Sequence, residues 1–200
     1  LEKGINIGEN INSATSCNNQ ICTGSQFNGM LNESLASIKP DGPYNNASYK
    51  LDLQGSQILI SSGDRTSYND PIIKNLGYYL YDGTKWNYPD YFKNFEGPLN
   101  ILDAVINPID PTEIFFTNYT FNANKGIYKM SNNEFVKSYH ISGDIYRNRT
   151  IGLTFDENNN LFASVAVMSG NFNNGFLLYN KNSDSFTTRN FVNIGGAQSP

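Results

Sequence analysis

One pattern recurs three times along the chain: a glycine, a run of apolar and aromatic residues, a turn, then another aromatic. The copies are Gly77-Tyr78-Tyr79-Leu80-Tyr81-Asp82-Gly83-Thr84-Lys85-Trp86, Gly126-Ile127-Tyr128-Lys129-Met130-Ser131-Asn132-Asn133-Glu134-Phe135, and Gly175-Phe176-Leu177-Leu178-Tyr179 continuing to Ser185-Phe186. Gly77, Gly126 and Gly175 stand 49 residues apart in each interval. A fixed period of this length is the mark of a repeat architecture in which each unit buries its apolar face only against its neighbours.

Each unit also carries an upstream hairpin. Its second strand reads Gln57-Ile58-Leu59-Ile60-Ser61, Glu113-Ile114-Phe115-Phe116-Thr117 or Asn160-Leu161-Phe162-Ala163-Ser164. Before it runs an alternating strand: Tyr49–Leu53, Leu102–Ile106 or Ile151–Phe155. Turn residues join the pairs through Gln54-Gly55-Ser56, Asn107–Pro111 and Asp156–Asn159. Four short antiparallel strands in 40 to 50 residues have the period and content of a β-propeller blade, so the fold expected is all-β. First strands should line the axis and fourth strands lie outermost. The glycine opening each third strand is expected at a close approach between neighbouring blades, and Asp82-Gly83 at a two-residue hairpin turn.

On this reading the blades occupy 47–92, 100–141 and 148–191, preceded by a degenerate blade or the remnant of a preceding one over 1–46. That remnant contains a hairpin fragment, Gln26–Leu31, and a turn, Lys39–Pro43. Residues 192–200 form the start of a further strand or a tail, with Phe191-Val192-Asn193-Ile194 strand-like. Closed propellers begin at four blades. The expectation is therefore a partial propeller, completed by missing blades or domains of a longer chain.

Composition agrees. The 31 asparagines and 17 glycines favour turns, and the 13 tyrosines and 13 phenylalanines favour strands. A net charge of −4 without a basic cluster argues against nucleic acid or an anionic membrane as partner. No apolar stretch approaches the roughly 20 residues of a membrane helix. Leu1-Glu2-Lys3 does not read as a signal peptide, so any export signal is expected to have been removed or to lie upstream. Cys17 and Cys22 could close a local disulfide outside the cytoplasm or remain free thiols, and two cysteines alone cannot make a tetrahedral zinc site.

Residues for catalysis are sparse. His140, the single histidine, lies at a strand end without a surrounding motif. A glycosidase needs two acids about 5 to 10 Å apart. Asp64, Asp70, Asp82, Asp110 and Asp156 mostly fall in turns, leaving Asp52 and Asp103 in first strands as the pair to consider. Four arginines (Arg65, Arg147, Arg149, Arg189) are a thin supply for a carboxylate-binding cluster. Asp156–Asn160 offers close oxygen ligands but lacks the glycine and distal glutamate of an EF-hand, and reads as a β-turn. Asn32, Asn46, Asn118 and Asn148 begin Asn-x-Ser/Thr triplets, expected by chance at this asparagine content. No catalytic residue, metal site or cofactor is expected. Aromatics in longer connections, namely Tyr68, Tyr91, Phe92, Tyr119, Phe121 and Phe172, are the candidates for ligand or partner contact.

The segments Ile38–Asn46, Gln57–Gly63, Gly77–Trp86, Asp103–Pro111 and Gly126–Lys137 resemble PorZ-type proteins, β-propellers of the type IX secretion system of Bacteroidota related to the propellers of two-component sensors. The resemblance covers about residues 38–190 and rests on blade-framework positions. It implies non-enzymatic work in the periplasm or at the cell surface. There such proteins join an attachment complex that links secreted cargo to anionic lipopolysaccharide, and they typically hold two propellers and a small C-terminal β-domain. The partners implied are other secretion-complex proteins or a surface glycan. Alternatives are the ligand-sensing propeller of a two-component regulator and, less favoured, a secreted glycan-active enzyme.

Overall fold

The structure, a computed structural model, describes residues 11–17, 20–25, 30–34, 37–38, 42–141, 148–166 and 176–189. The chain divides into two compact units, 1–42 and 43–200.

In the first unit β1 (Ile11–Cys17), β2 (Gln20–Ser25), β3 (Met30–Leu31) and β4 (Ser37–Ile38) form one antiparallel sheet in sequence order. Cys22 is buried and disulfide-bonded, which decides between the two cysteine readings. Of the Gln26–Leu31 fragment, Met30–Leu31 pairs with β2, while residues 26–29 lie outside the described residues. So do 39–41 of the expected turn, and Phe191–Ile194 with the rest of 192–200.

The second unit holds three four-stranded sheets, each an antiparallel meander in sequence order. The first is β5 (Lys50–Gln54), β6 (Gln57–Ser61), β7 (Tyr79–Tyr81) and β8 (Trp86–Asn87). The second is β9 (Ile101–Ile106), β10 (Glu113–Asn118), β11 (Gly126–Ser131) and β12 (Glu134–Tyr139). The third is β13 (Thr150–Phe155), β14 (Leu161–Val165), β15 (Phe176–Asn180) and β16 (Ser185–Arg189). These are blades of the four-stranded antiparallel kind, and the fold is all-β.

Successive side chains on a strand point to opposite faces, and the middle sheet uses both faces. Ala104, Ile106, Ile114, Phe116, Tyr128 and Met130 pack with Leu59, Tyr78 and Leu80 of the first sheet. The residues between them, Val105, Phe115 and Ile127, pack with Leu153, Leu161, Ala163 and Leu177 of the third. All six residues of β9 are consequently buried, whereas Leu51 and Leu53 of β5 are exposed.

Two local expectations need correction, and one element is new. Tyr81 pairs with Trp86, so the β7–β8 turn holds four residues instead of two. Asp82 nucleates it, its Oδ1 accepting from Thr84 N at 2.9 Å and Lys85 N at 3.0 Å, with Gly83 next in line at φ +98°. A one-turn helix, α1 (Asp90–Lys93), follows Pro89 and inserts Phe92 into the first core. Gly77 and Gly126, which open third strands, do not mark contacts between blades. A Cβ on Gly77 would sit 2.0 Å from the Phe92 ring, and one on Gly126 would sit 2.8 Å from the Tyr139 carbonyl of its own sheet. Gly175 lies outside the described residues. The close approach falls at Gly63, whose N–H donates to Ile101 O at 2.6 Å and whose Cα leaves no room for a side chain.

Candidate functional site

The acids of the first strands are occupied by the framework. Asp52 Oδ2 accepts from Ile106 N at 2.8 Å, and Asp103 Oδ2 accepts from Leu153 N at 2.6 Å and from Lys50 Nζ at 2.5 Å. Each carboxylate thus ties its own blade to a backbone N–H of the next. Burial pushes the Asp103 carboxyl up, opposed by the Lys50 ammonium and the Leu153 N–H.

Turn chemistry accounts for other polar candidates. Asp156 Oδ1 accepts from Asn158 N (2.9 Å) and Asn160 N (2.7 Å), and these bonds with the Asn160 amide hold its carboxyl below the ordinary value. Among the described residues no group of three His, Cys, Asp or Glu is placed to hold a metal ion. His140 is exposed. Asn118 is fully buried, its amide donating to the carbonyls of Pro98 and Asn124, so that triplet offers no accessible acceptor for a glycan. Asn148 is bound at both ends of its amide to Ile141, whereas Asn46 is exposed.

The aromatic candidates separate by burial. Phe92 and Tyr119 are buried, as the packing reading of these positions has it, Phe92 because α1 turns it inward and Tyr119 because the residue after β10 continues into a third small core with Leu102 and Ala166. Tyr91 is partly buried and stacks flat on Phe135, centroids 5.0 Å apart. Phe172 lies outside the described residues. Tyr68 and Phe121 remain, 86% and 44% exposed.

The structure places these two on connections at the same end of the blades, joined through Asn69 and Tyr119. Residues 64–72 form a small closed loop, in which Thr66 N donates to Asp70 O (2.9 Å), Ile72 N to Asp64 O (3.0 Å), and Thr66 Oγ1 accepts from Asp70 N (3.0 Å). Asn69 completes it at φ 65°. Every one of these bonds fixes the backbone beneath Tyr68, so the ring is presented from a firm base. Arg65 braces the loop, donating through Nη1 to Asn69 Oδ1 (2.7 Å) and through Nε to Tyr49 Oη (3.1 Å). The Tyr119 hydroxyl donates to the Asn69 carbonyl, which joins the loop to the next blade. Phe121 lies edge-on to Tyr119, and the Arg149 guanidinium sits 4.3 Å from the Phe121 centroid. Burial raises the Tyr119 hydroxyl, while the charges of Arg149 and Arg65 pull it down.

Three segments far apart in sequence therefore meet here: the 64–72 loop bearing Tyr68 is held to Tyr119, Tyr119 lies against Phe121, and Phe121 lies under Arg149. Sequence reasoning named Tyr68 and Phe121 but missed Tyr49, Arg65 and Arg149. Two of the chain's four arginines meeting here was a signal only the repeat alignment, extended into the loops, could have given.

No protein-family model matches the chain, and no curated protein matches it. Solved structures do. PorZ, described as an essential bacterial surface component of the type IX secretion system of Porphyromonas gingivalis, is 17% identical over 85% of this chain and 24% of its own, with a TM-score of 0.57. The extracellular domain of a hybrid two-component system from B. thetaiotaomicron is 13% identical over 94% of this chain and 23% of its own, TM-score 0.48. A GH74 xyloglucanase from Xanthomonas campestris is 10% identical over 84% and 27%, TM-score 0.47. The chain spans about a quarter of the length of each. At such identities the likeness to PorZ is one of fold, and with the four-stranded meanders it makes this chain an all-β protein of the β-propeller class.

Proposed function

We propose that this chain is a non-enzymatic propeller scaffold that recognises a protein or glycan partner outside the cytoplasm, in the manner of an attachment-complex component of type IX secretion. The observation that carries the reading is Tyr68, 86% exposed on a loop closed by its own hydrogen bonds and flanked by Arg65. Holding a large ring in water gains nothing for folding, and aromatic and arginine side chains dominate recognition surfaces. The first-strand acids support a role without catalysis, since Asp52 and Asp103 are bonded to backbone N–H groups of neighbouring blades. Oxidised Cys22 supports a compartment that permits disulfides. Among the described residues no helix is long and apolar enough to cross a membrane.

The test is co-purification of the full-length protein from its native host, wild type beside a Tyr68→Ala/Phe121→Ala double variant. Loss of a defined secretion-complex protein or lipopolysaccharide species, with an unchanged melting curve, is the expected result. Identical bound species in both preparations overturns the reading.

A further inference from the structure

Among the described residues Asp103 is the one buried residue of an ordinarily charged type, and it touches all three blades of the second unit. It sits on β9, the first strand of the middle blade. Its Oδ2 accepts from Leu153 N of the third blade at 2.6 Å and from Lys50 Nζ of the first at 2.5 Å. Its own N–H donates to Thr117 Oγ1 at 3.1 Å. The second carboxyl oxygen, Oδ1, is buried and has no hydrogen-bond partner among the described residues.

The two charges of this pair stand in unlike surroundings. The Lys50 side chain is 48% exposed and that of Asp103 is 0% exposed. An ionised carboxylate needs donors on both oxygens, and here one oxygen has them all. A dry, half-satisfied carboxylate is costly, and a proton on Oδ1 removes most of that cost. The neutral carboxyl still offers Oδ2 to Leu153 N, whose residue is buried, whereas Lys50 loses its counter-charge and has water at hand. Burial raises the Asp103 carboxyl above the ordinary 3.8, against the pull of the Lys50 and Leu153 bonds. The elements packed against β9 are β5, β6, β10 and β13. Besides Lys50, their charged groups are Asp52, committed to Ile106 N, and Glu113, paired with Lys129 at 2.5 Å; β6 and β13 carry none.

We propose that Asp103 and Lys50 form a proton-operated latch between the first and second blades. With Asp103 ionised, Lys50 is held and β5 is pinned to β9. With a proton on Oδ1, Lys50 turns into water while Asp103 keeps Leu153 N. At its other end β5 stays tied through Asp52 to Ile106 N, and along its length through the ladder with β6, so the junction loosens at one end only. The junction with the third blade is unchanged by the proton, because Oδ2 serves Leu153 N in both states. The latch is independent of the Tyr68 reading.

The test is a pH titration by NMR of the full chain labelled with 13C and 15N, following the Asp103 carboxyl carbon, Lys50 Cε and the exchange protection of β5 amides. Expected are an Asp103 midpoint above 3.8 and a Lys50 Cε shift with the same midpoint. Below that midpoint, protection factors at residues 50–54 should fall roughly two- to fivefold, the range of a half-exposed ion pair, while those of β13 hold. Lys50→Met keeps the stem without the ammonium; it should raise the Asp103 midpoint by roughly one pH unit and remove the pH dependence of β5 protection. Asp103→Asn keeps an acceptor for Leu153 N and should hold Lys50 Cε and β5 at the values the wild type reaches in acid. Lys50→Met, at a half-exposed site, decides the matter even where Asp103→Asn fails to fold. An Asp103 midpoint at or below 3.8 overturns the proposal. So does a Lys50 shift that does not follow Asp103, β5 protection equal across the step, or an Asp103 midpoint unmoved in Lys50→Met.

Discussion

The two junctions flanking the middle blade are built differently. At the first, between β5–β8 and β9–β12, main chain meets main chain. Gly63 N reaches Ile101 O, and the Asn100 side chain accepts from Asp64 N (2.9 Å) and donates to the carbonyls of Asp64 and Tyr119. Around this seam lies an aromatic core in which Phe92 contacts Tyr78, Phe116 and Tyr91. At the second, between β9–β12 and β13–β16, side chains reach across. Asp184 Oδ1 accepts from Tyr139 Oη (2.6 Å) and Tyr179 Oη (2.7 Å), while Lys137 Nζ lies 3.0 Å from Oδ2. Side chains cross the first seam too, Asp52 to Ile106 N and Lys50 to Asp103, but the main-chain approach at Gly63 sets it apart; at the second, Asp103 reaches Leu153 N over a buried core and half-exposed Asp184 joins the two blades at its edge. A small residue permits the one, and long polar residues span the other.

Adjacent positions on β10 offer the sharpest way to break this contrast. Phe116→Ala empties the first core and Phe115→Ala the second, each at about 3–5 kcal/mol. Hydrogen exchange should show protection lost toward β7 in one variant and toward β14 in the other; the same pattern in both would mean that the junctions are not separate. Gly63→Ala comes next, at roughly 2–3 kcal/mol, because its Cβ would meet the Ile101 carbonyl oxygen at 2.3 Å. The corresponding fall in melting temperature measures the closeness of the first seam. Asp103→Ala should destabilise by about 1–3 kcal/mol, chiefly by leaving Leu153 N unpaired, since half-exposed Lys50 can turn to solvent. Denaturant midpoints of this variant and of Lys50→Ala separate the two contributions.

The smallest effect is one of pH. Hydrogen bonds from Tyr139, Tyr179 and Lys137 hold the Asp184 carboxyl at about 2, below its ordinary value of 3.8. A depressed carboxyl favours folding above the ordinary value, and that contribution vanishes as pH falls from about 4 to about 2. Asp184→Asn should flatten the melting temperature across this window, and solvent exposure keeps the difference modest.

Second strands were readable in sequence to within a residue because alternation and turn residues bound them on both sides. Gln57–Ser61 shows this, as an apolar strand between Gly55-Ser56 and a serine–glycine end. The first unit's β1, Ile-Asn-Ser-Ala-Thr-Ser-Cys, was not readable, for it has almost no apolar alternation to register. Four residues of α1 are too short for a helical period. Phe92 and Tyr119 sit in connections, yet both are packed inward because those connections fold back onto the core. The cluster around Tyr68 and Phe121 was half legible, its rings by their place in long loops. Its arginines become neighbours only through tertiary folding.

The doubly covered middle sheet has a consequence for alignment between strands. Where one face meets water, sliding a strand by a single residue exposes its oily side chains and is penalised at once. In β10, Ile114, Phe115 and Phe116 are buried whichever way they point, so hydrophobicity alone barely distinguishes the native pairing from its neighbours. The ruler is polar: Asn100 N finds Asn118 Oδ1, Asp103 N finds Thr117 Oγ1, and the Asn107 amide finds Glu113 Oε2. These few groups, placed where the strand begins and ends, count off which residue sits opposite which.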